Sequence, residues 1–284
     1  MTRLDAHAKI NLSLIIGPLR DDGKHEVVTV LERVSIADTV ALAAGERLSV
    51  SGFADDTIVT ESLHALAALA GAEPRWEVEI EKAIPVAAGL GGGSSDAAAA
   101  LLLANDLLPE PFSPGHLADL AATIGADVPF FLGGGPQLGS GDGTVLSPVE
   151  LPADYSVLLV LPSAEVKTST GDVYRAFDDR DGAHGFTERR DAVLAALHAV
   201  RHPHDLARLP PNDLASSPLS DRLRDTGALR ADVSGAGPCV YGLFAGREEA
   251  DAAALALRSE GQTWVVAPVR QADATGPAVS TVDA

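Results

Sequence analysis

The sequence predicts an α+β fold, in which strands and helices are mixed along the whole chain. Residues 76–81 alternate apolar and acidic side chains, which is the period of a strand with one buried face. Residues 97–104 contain no glycine or proline and have high helix propensity. In the second half, helical patterns alternate with strand-like segments at 155–161, 230–234, 239–245 and 263–269.

The composition is that of a globular protein with a sizeable core. The 284 residues are 46% hydrophobic and 21% charged, which suits one large or two ordinary domains. No apolar run approaches the length of a bilayer span, and residues 1–7 lack the hydrophobic centre of a signal peptide. The single cysteine, Cys239, excludes an internal disulfide and a cysteine-rich metal site. We therefore expect a cytoplasmic protein.

The net charge of −19 argues against binding to nucleic acids or anionic membranes. Neutralising many phosphates takes clustered lysine and arginine, which this chain lacks. Local donors, rather than the overall field of the protein, must therefore hold any anionic small-molecule substrate.

The first predicted strand covers residues 7–16. Its apolar residues point to one face, while Lys9, Asn11 and Ser13 point to the other. The chain has only four lysines, and one in mid-strand beside an asparagine is unusual for a solvated face. Two interpretations stay open on this pattern alone: an exposed strand face, or two polar side chains that touch one ligand.

A turn and several short elements follow. The turn 17–25 contains the hairpin signal of Asp22 and Gly23. A helix is then predicted at 60–71, ending at a glycine, after strands at 26–36, 39–42 and 47–50.

Residues 84–105 are the stretch on which the functional prediction depends. A glycine-rich loop follows the strand 76–81, and the helix starts behind it with Ser94, Ser95 and Asp96 as candidate N-caps. Glycines let the backbone turn tightly and expose its N–H groups, and a helix N-terminus adds unpaired donors and partial positive charge. Such a place suits a phosphate group.

Two common phosphate-binding loops do not fit this stretch. A Walker A loop needs a lysine after its last glycine, and none follows Gly93. The dinucleotide fingerprint needs glycines at relative positions 1, 3 and 6, but the sixth position from Gly89 is Ser94. A plain glycine-rich turn before an alanine-rich helix is the simplest alternative.

The chain after the loop continues with another helix at 114–125. Asp127 follows at a break before a new helical start near Pro129, and taken alone this residue is most simply an N-cap. The many glycines of 133–143 predict a flexible crossing segment.

A change of composition around residues 148–152 predicts a domain boundary. We expect an N-terminal domain at 1–150 and a C-terminal domain at 151–271, followed by a disordered tail at 272–284 that lacks periodicity. The C-terminal half contains a predicted surface loop at 178–190. Its predicted helices lie at 172–177, 191–201, 216–225 and 248–259.

Seven short segments, taken together and in order, resemble the GHMP kinase family, and they span nearly the whole chain. The resemblance implies a ribosomal protein S5-like N-terminal domain and a ferredoxin-like C-terminal domain. It also implies an ATP-dependent phosphotransferase, a monomer or homodimer, whose small-molecule substrate carries a cytidine diphosphate. The segments are residues 8–12, 22–26, 84–97, 125–129, 173–177, 212–214 and 234–239.

The resemblance implies roles for individual residues. Asp127 would accept the proton of the acceptor hydroxyl, while Lys9 would hold that aspartate ionised and offset charge on the transferring phosphoryl group. Substrate-binding positions would be Asn11, Lys24 and His25 near the cytidine, with Thr170 and Gly235 from the second domain.

The same resemblance assigns the ATP phosphates to the glycine-rich loop, with Ser95 as a ligand of Mg²⁺. The residues implied in this binding are Pro85, Val86, Ala87, Ala88, Gly89, Leu90, Gly91, Gly92, Gly93, Ser94 and Ser95.

Three positions depart from the family pattern. Lys24 stands where a tyrosine usually stacks on the cytosine; a lysine can reach a diphosphate or make a cation–π contact, but it cannot stack in the same way. His7 stands where proline is usual. Ala87 replaces a glycine, which is tolerable if this residue needs no positive φ.

Two other functions remain to be weighed. One is another GHMP kinase, such as a homoserine or mevalonate kinase. Residues 22–25 and 125–129 argue against this alternative. The other is a non-enzymatic ligand sensor on the same scaffold. The presence of both Lys9 and Asp127 argues against a sensor, which has no need of groups for phosphoryl transfer.

Overall fold

Two β-sheets, one from each half of the chain, form the framework of the computed structural model, which describes residues 1–53, 57–163 and 169–269. Helices cover these sheets, and the predicted α+β fold is confirmed. The tail predicted at 272–284 lies outside the described residues.

The first sheet has six strands in the order β3-β4-β2-β5-β6, with β1 also paired to β2. β2 is its centre: it pairs with β1 on one side and with both β4 and β5 on the other. The strands are β1 (Thr2–Leu19), β2 (His25–Ala44), β3 (Ser49–Ser51), β4 (Trp76–Glu81), β5 (Gln137–Ser140) and β6 (Val145–Pro148).

β2 is one continuous strand, where the sequence predicts two. Asp38 is a residue type that strands disfavour, and it falls at the predicted break. Its carboxylate accepts hydrogen bonds from the backbone N–H groups of Ala83 and Ile84, so its polar group is satisfied without interrupting the strand.

The pairing of β1 with β2 contains a shift of register between Asn11 and Ser13, where β1 has one residue more than β2. Such a bulge bends a strand and changes the direction of its side chains. It lies within the polar row of β1 that begins at Lys9.

Four helices belong to the N-terminal half, and their buried residues form one cluster with those of the first sheet. The central one, α2, contacts β1, β2 and the helices α1 and α4, and its alanines 97–100 are almost completely buried. The N-terminal core around it includes Leu63, Trp76 and Phe130. The helices are α1 (Thr57–Leu69), α2 (Gly92–Asp106), α3 (Pro114–Ile124) and α4 (Val128–Leu132).

Residues 133–143 form most of a β-hairpin, so the prediction of a flexible crossing segment is wrong. β5 and β6 pair from Gln137 with Pro148 to Ser140 with Val145. The glycines serve the turn of this hairpin, where Gly141 and Gly143 adopt positive φ.

The second sheet is antiparallel, with strand order β10-β7-β9-β8. Numbered within the C-terminal half, this is the order 4-1-3-2, with helices between its first and second strands and between its third and fourth. That arrangement is the split βαβ of a ferredoxin-like domain. The strands are β7 (Ser156–Pro162), β8 (Arg230–Val233), β9 (Val240–Phe244) and β10 (Gly261–Val266).

Three of the four helices of the C-terminal half begin earlier than predicted, whereas the helix predicted at 216–225 begins two residues later, at Pro218. The predicted surface loop 178–190 is partly wrong, because a helix begins at Phe186 within it. The helices are α5 (Thr170–Asp179), α6 (Phe186–Ala199), α7 (Pro218–Asp225) and α8 (Arg247–Ala256), with a 3₁₀ turn at Pro203–Arg208.

One hydrophobic cluster joins the two sheets. Ile10 and Leu12 of β1 belong to the same buried cluster as Val157 of β7 and Tyr241 of β9. The division into domains 1–150 and 151–271 therefore stays a prediction, although the change of sheet falls between Pro148 and Ser156. Within the described ranges, no helix has the length and apolar character to cross a membrane.

Candidate active site

The glycine-rich loop leads directly into α2, which begins at Gly92. The N-cap is Gly91 in the left-handed conformation, with φ of 71°, and no side chain caps the helix. The prediction of Ser94, Ser95 and Asp96 as N-caps is therefore wrong, because all three lie inside the helix. A tight left-handed turn lets the helix start three residues earlier than the serines suggest.

Three backbone carbonyls of the loop accept hydrogen bonds from other parts of the molecule. Leu90 O accepts from the N–H of Lys9 at 2.9 Å. Ala88 O accepts from the N–H of Cys239 at 3.0 Å, and Gly89 O from the hydroxyl of Ser234 at 2.9 Å. The loop is thus fixed by β1 and by the C-terminal segment 234–239.

Gly89 and Gly91 occupy positions that no other residue could fill. Both have positive φ. A Cβ on Gly89 would lie 2.2 Å from the carbonyl oxygen of Ser234, and one on Gly91 would lie 3.0 Å from Cγ of Lys9. These close approaches bring the loop backbone against both Lys9 and the C-terminal half.

Ala87 adopts a φ of 60°. The condition under which alanine would be tolerated without strain, no positive φ at this position, is therefore not met. An L-residue in the left-handed region costs about 1–2 kcal/mol, because its Cβ crowds the following carbonyl oxygen. The loop keeps the glycine-type backbone at a position where this chain has alanine.

A buried cluster of charges lies behind the loop, and sequence reasoning missed it. Lys82 Nζ contacts Asp38 Oδ2 at 2.5 Å and Asp96 Oδ2 at 2.6 Å, and both aspartates are fully buried. Asp38 also accepts the N–H groups of Ala83 and Ile84. The cluster therefore connects β2, the entry to the loop and the first turns of α2.

Lys9 and Asp127 lie together, with Lys9 Nζ 3.5 Å from Asp127 Oδ2. The Lys9 side chain is only 4% exposed, so the interpretation of an exposed strand face is wrong. Asp127 stands at the N-cap position of α4, but its side chain makes no capping hydrogen bond. Its carboxylate is 40% exposed, paired with Lys9 and open to the cavity in front of it.

Asn11 fixes the lysine from the other side. Its Oδ1 accepts from Lys9 Nζ at 2.6 Å, and its Nδ2 donates to the hydroxyl of Thr29 at 2.8 Å. That hydroxyl donates to the carbonyl of Ser13 at 2.9 Å. The chain of hydrogen bonds orients the amide of Asn11 so that its oxygen faces the ammonium group.

Two adjoining cavities meet at the glycine-rich loop. The first, about 320 Å³, is lined by the loop from Pro85 to Ser94 together with Phe53, Thr57, Ile58 and Lys82. The second, about 820 Å³, shares Ala87, Gly89, Gly91 and Ser94 with the first. It also contains all the predicted catalytic and substrate-binding residues: Lys9, Asn11, Lys24, His25, Asp127, Thr170 and Gly235.

Ser94 and Ser95 differ in their access to the cavities. Ser94 lines both of them. Ser95 is 2% exposed and lies on the inner side of α2, where its N–H donates to Gly91 O. The assignment of Ser95 as a metal ligand stays a prediction.

His25 lies at the far end of the larger cavity, in contact with aromatic rings of α5. Its Nε2 is 2.8 Å from Asp178 Oδ1, its ring lies 5.1 Å from that of Tyr174, and Phe177 meets it edge-on at 6.0 Å. Burial, and then the charge of Asp127, raise the pKa of Tyr174 to about 12. Sequence reasoning gave Tyr174 no role, because nothing local to residues 173–177 shows that they face His25.

Lys24 pairs with Asp142 across the edge of the cavity, with Nζ 2.6 Å from Oδ2. Asp142 lies in the turn between β5 and β6, which sequence reasoning did not connect with the site. The Lys24 ammonium, followed by the hydroxyl of Thr144, lowers the pKa of Asp142 to about 2.

Gly235 is brought to the site by a loop that Asn212 holds. The Asn212 side chain donates to the carbonyls of Val233 and Gly235 at 3.0 and 2.7 Å, and it accepts from the N–H of Leu214 at 2.8 Å. A Cβ on Gly235 would lie 3.3 Å from Lys9 Nζ, so the C-terminal half approaches the Lys9–Asp127 pair directly.

Comparisons with known proteins agree with this arrangement. The family model described as GHMP kinases N terminal domain matches residues 57–135, and the one described as GHMP kinases C terminal matches residues 204–263. A protein of Rhodococcus jostii (strain RHA1), named 4-diphosphocytidyl-2-C-methyl-D-erythritol kinase, is 38% identical, with 98% of this chain and 94% of the relative covered. A protein of the same name from Salinispora arenicola (strain CNS-205) is 40% identical over 84% of this chain and 82% of the relative.

A solved structure gives the same result. The crystal structure of 4-(cytidine 5'-diphospho)-2C-methyl-D-erythritol kinase is 31% identical, with a TM-score of 0.75, and the match covers 94% of this chain and 98% of that one. The fold and the paired cavities define a phosphotransferase, and the chain belongs to the GHMP kinase family. Within that family it is similar to proteins named as kinases of diphosphocytidyl-methylerythritol.

Proposed function

We propose that this enzyme transfers the γ-phosphoryl group of ATP to the 2-hydroxyl of 4-diphosphocytidyl-2-C-methyl-D-erythritol, in the non-mevalonate (MEP) pathway to isoprenoid precursors. The observation that carries the proposal is the Lys9–Asp127 pair, with its atoms 3.5 Å apart in the larger cavity. Gly91 of the phosphate loop lies directly beside Lys9. An acid–base pair next to a phosphate-binding backbone is what phosphoryl transfer to an alcohol requires.

The smaller cavity is the proposed ATP site. The N-terminus of α2 directs unpaired backbone N–H groups and a partial positive charge toward it. Three loop carbonyls are already engaged elsewhere, by Lys9, Ser234 and Cys239. The backbone can thus attract phosphates locally, although the protein as a whole carries a charge of −19.

In the proposed reaction, the acceptor oxygen forms a bond to the γ-phosphorus as the bond from phosphorus to the β,γ-bridging oxygen breaks. ADP leaves with that electron pair. Asp127, which is partly exposed to the cavity, takes the hydroxyl proton. Lys9 is held by Asn11 on one side, so its charge stays between the carboxylate and the phosphate loop.

Mg²⁺, bound together with the nucleotide, would supply positive charge that offsets the charge developing on the phosphates. Ser95 is the proposed protein ligand, and Ser94, which lines both cavities, is a second candidate for the same role. Among the residues described, no group of three or more acidic, histidine or cysteine side chains is placed to hold a metal. A nucleotide-bound Mg²⁺ needs no such group, since it takes one or two protein ligands beside phosphates and water.

The far end of the larger cavity is the proposed nucleoside site. His25 is oriented by Asp178 and can form hydrogen bonds with a base edge, while the neighbouring Tyr174 ring offers an aromatic face. Thr170 and Gly235 line the wall between this end and the catalytic pair. The similarity to the Rhodococcus and Salinispora kinases supports a cytidine diphosphate substrate.

A coupled assay of ADP release tests the substrate. We expect turnover with diphosphocytidyl-methylerythritol to exceed turnover with mevalonate or homoserine by several orders of magnitude. Faster turnover with either of the latter would replace the proposal by another GHMP kinase activity. Binding of the substrate and ATP without any turnover would indicate a ligand sensor instead.

The replacement Asp127→Asn tests the proposed chemistry. Loss of a general base should lower kcat by at least about 100-fold, while the affinity for ATP, measured by calorimetry, stays nearly unchanged. The control is Asp119→Asn, at an exposed position of α3, which should retain wild-type kcat. Turnover of Asp127→Asn within a few-fold of wild type would contradict the assignment.

We also propose that the enzyme works in the cytoplasm, as a monomer or homodimer, with ATP and its small-molecule substrate as partners. The acidic net charge supports the expectation that it does not act on nucleic acid or anionic membranes. Light scattering on the purified protein would give the oligomeric state.

A further inference from the structure

The edge of the larger cavity, beside the proposed nucleoside site, is closed by an ion pair between two turns. Lys24 ends the turn between β1 and β2, and Asp142 lies in the turn between β5 and β6. Their charged atoms are 2.6 Å apart, and both residues line the cavity. The two turns are 118 residues apart in sequence. Beside this side-chain contact, the N–H of Val27 in β2 donates to the carbonyl of Gly141 at 2.7 Å.

The two partners are held to different degrees. The Asp142 side chain is 14% exposed, and its Oδ1 accepts from both the hydroxyl and the N–H of Thr144, at 2.6 and 3.2 Å. Its Oδ2 is thereby left for Lys24. The Lys24 side chain is 54% exposed and has many rotamers available when unpaired. Asp142 is thus a fixed anchor, and Lys24 is the mobile partner that the anchor immobilises.

The Lys24–Asp142 pair matters for the proposed nucleoside site because of the residue that follows Lys24. The next residue is His25, whose ring is in contact with that of Tyr174 at the proposed nucleoside site. The turn itself is closed by backbone hydrogen bonds from Arg20 to Lys24 O and from Gly23 to Arg20 O. The ion pair therefore restrains the end of the turn directly before His25, the residue whose imidazole would contact the base.

We propose that the Lys24–Asp142 ion pair is a positioning device for the nucleoside half of the substrate, which fixes the turn before His25 and forms the outer wall of the base-binding end of the cavity. This inference rests on the proposed function. Because the turn is already ordered, a nucleoside that enters need not supply the free energy of ordering it. The ring of Tyr174 and the Lys24 side chain both line the cavity that would receive the base.

Calorimetric titration with cytidine tests the proposal, because the uncharged nucleoside has no phosphate to respond to lysine. We expect Lys24→Met and Asp142→Asn each to weaken cytidine binding by about three- to fivefold, the upper range for a partly exposed ion pair. The double variant should be no weaker than either single variant, since both remove one interaction. Lys24→Arg should restore most of the affinity.

The control is Arg20→Met. Arg20 belongs to the same turn and pairs with Asp22 and Glu26, outside the cavity. Its loss should leave cytidine affinity unchanged. Cytidine affinity of the wild type should fall between about 0.01 M and about 1 M salt, as screening weakens the pair, while that of Lys24→Met should not. If Lys24 acted only through the packing of its side chain, and not through its charge, affinity would not depend on salt in this way.

Two results would overturn the inference. Unchanged affinity in Asp142→Asn, together with a loss in Lys24→Met, would mean that Lys24 acts on the ligand without its partner. Unchanged affinity in both variants would mean that the pair has no part in binding. Either result leaves the proposed kinase activity intact if the wild type turns over diphosphocytidyl-methylerythritol, whereas a wild type without such turnover contradicts the proposed function itself.

Discussion

At the scale of single residues, Lys9 shows how the site depends on tertiary partners. Its ammonium is nearly buried, and burial of a charge is unfavourable unless the charge is paired and hydrogen-bonded. Asn11 and Asp127 supply these partners from β1 and from the start of α4. The lysine is therefore held in place by two of the groups with which it is proposed to work.

Ala87 shows strain at a single residue, and its replacement by glycine tests it. The left-handed backbone costs alanine about 1–2 kcal/mol, while glycine loses about 0.5–1 kcal/mol more entropy on folding. We expect Ala87→Gly to raise the free energy of unfolding by about 0.5 kcal/mol, measured by urea denaturation. Ala88→Gly is the matched control. Ala88 is buried and has no positive φ, so its replacement by glycine should lower the free energy of unfolding by about 1 kcal/mol. Destabilisation by Ala87→Gly would show that the alanine is not strained.

At the scale of elements, the site is held together by segments that contribute neither Lys9 nor Asp127. Asn212 connects the segment before α7 with the loop between β8 and β9, and Tyr241 of β9 donates its hydroxyl to the carbonyl of Asn11 at 3.0 Å. These bonds set the distance between the C-terminal half and β1. The position of Gly235 over Lys9 follows from them.

We expect Asn212→Ala to raise KM for the cytidine substrate by about tenfold or more. The loop of Gly235 loses the side chain that holds it, and a buried carbonyl is left without its donor. The control is Asn105→Ala, which removes a similarly buried amide that bonds to Phe112, away from both cavities. Both variants should lose a comparable free energy of unfolding, of about 1–3 kcal/mol, but only Asn212→Ala should change KM. Equal KM values in the two variants would limit Asn212 to a role in stability.

At the scale of the whole molecule, the two sheets meet over a shared core that also contains a titratable group. Glu32 of β2 is 2% exposed and pairs in register with Ile10 of β1. The hydroxyl of Tyr155 is 3.5 Å away. Burial raises the pKa of Glu32 from 4.5 to about 8. The interface therefore favours the neutral carboxylic acid.

This shift predicts a dependence of stability on pH. Between pH 4.5 and about 8, folded Glu32 keeps a proton that the unfolded chain releases. The free energy of unfolding should thus fall as pH rises, by at most about 1.4 kcal/mol per pH unit. The replacement Glu32→Gln should remove this contribution, so that its stability relative to wild type rises across the interval. Glu79→Gln, on the exposed face of β4, is the control. A constant difference between Glu32→Gln and wild type across this range, in denaturation at several pH values, would contradict the prediction.

The sequence by itself determined the class of fold, the place of the glycine-rich loop and the residues that meet at the site. Alternation of apolar and acidic residues defines β4 because a half-buried strand has a period of two. Seven short segments in order identified the family, since each has a local backbone or chemical requirement. Lys9, Asn11, His25, Asp127 and Gly235, scattered over the chain, all line one cavity.

Only the tertiary structure decided the partners of these residues. Local patterns assigned Ser94 to Asp96 as helix caps, and only the left-handed turn at Gly91 showed that the helix starts earlier. Lys24 with Asp142, Lys82 with Asp38, and His25 with Tyr174 are each separated by more than forty positions in sequence. Such contacts depend on how the sheets and helices pack together, and sequence periodicity reports only the face on which a residue lies. The charges and rings that complete the site therefore became visible only once the chain was folded.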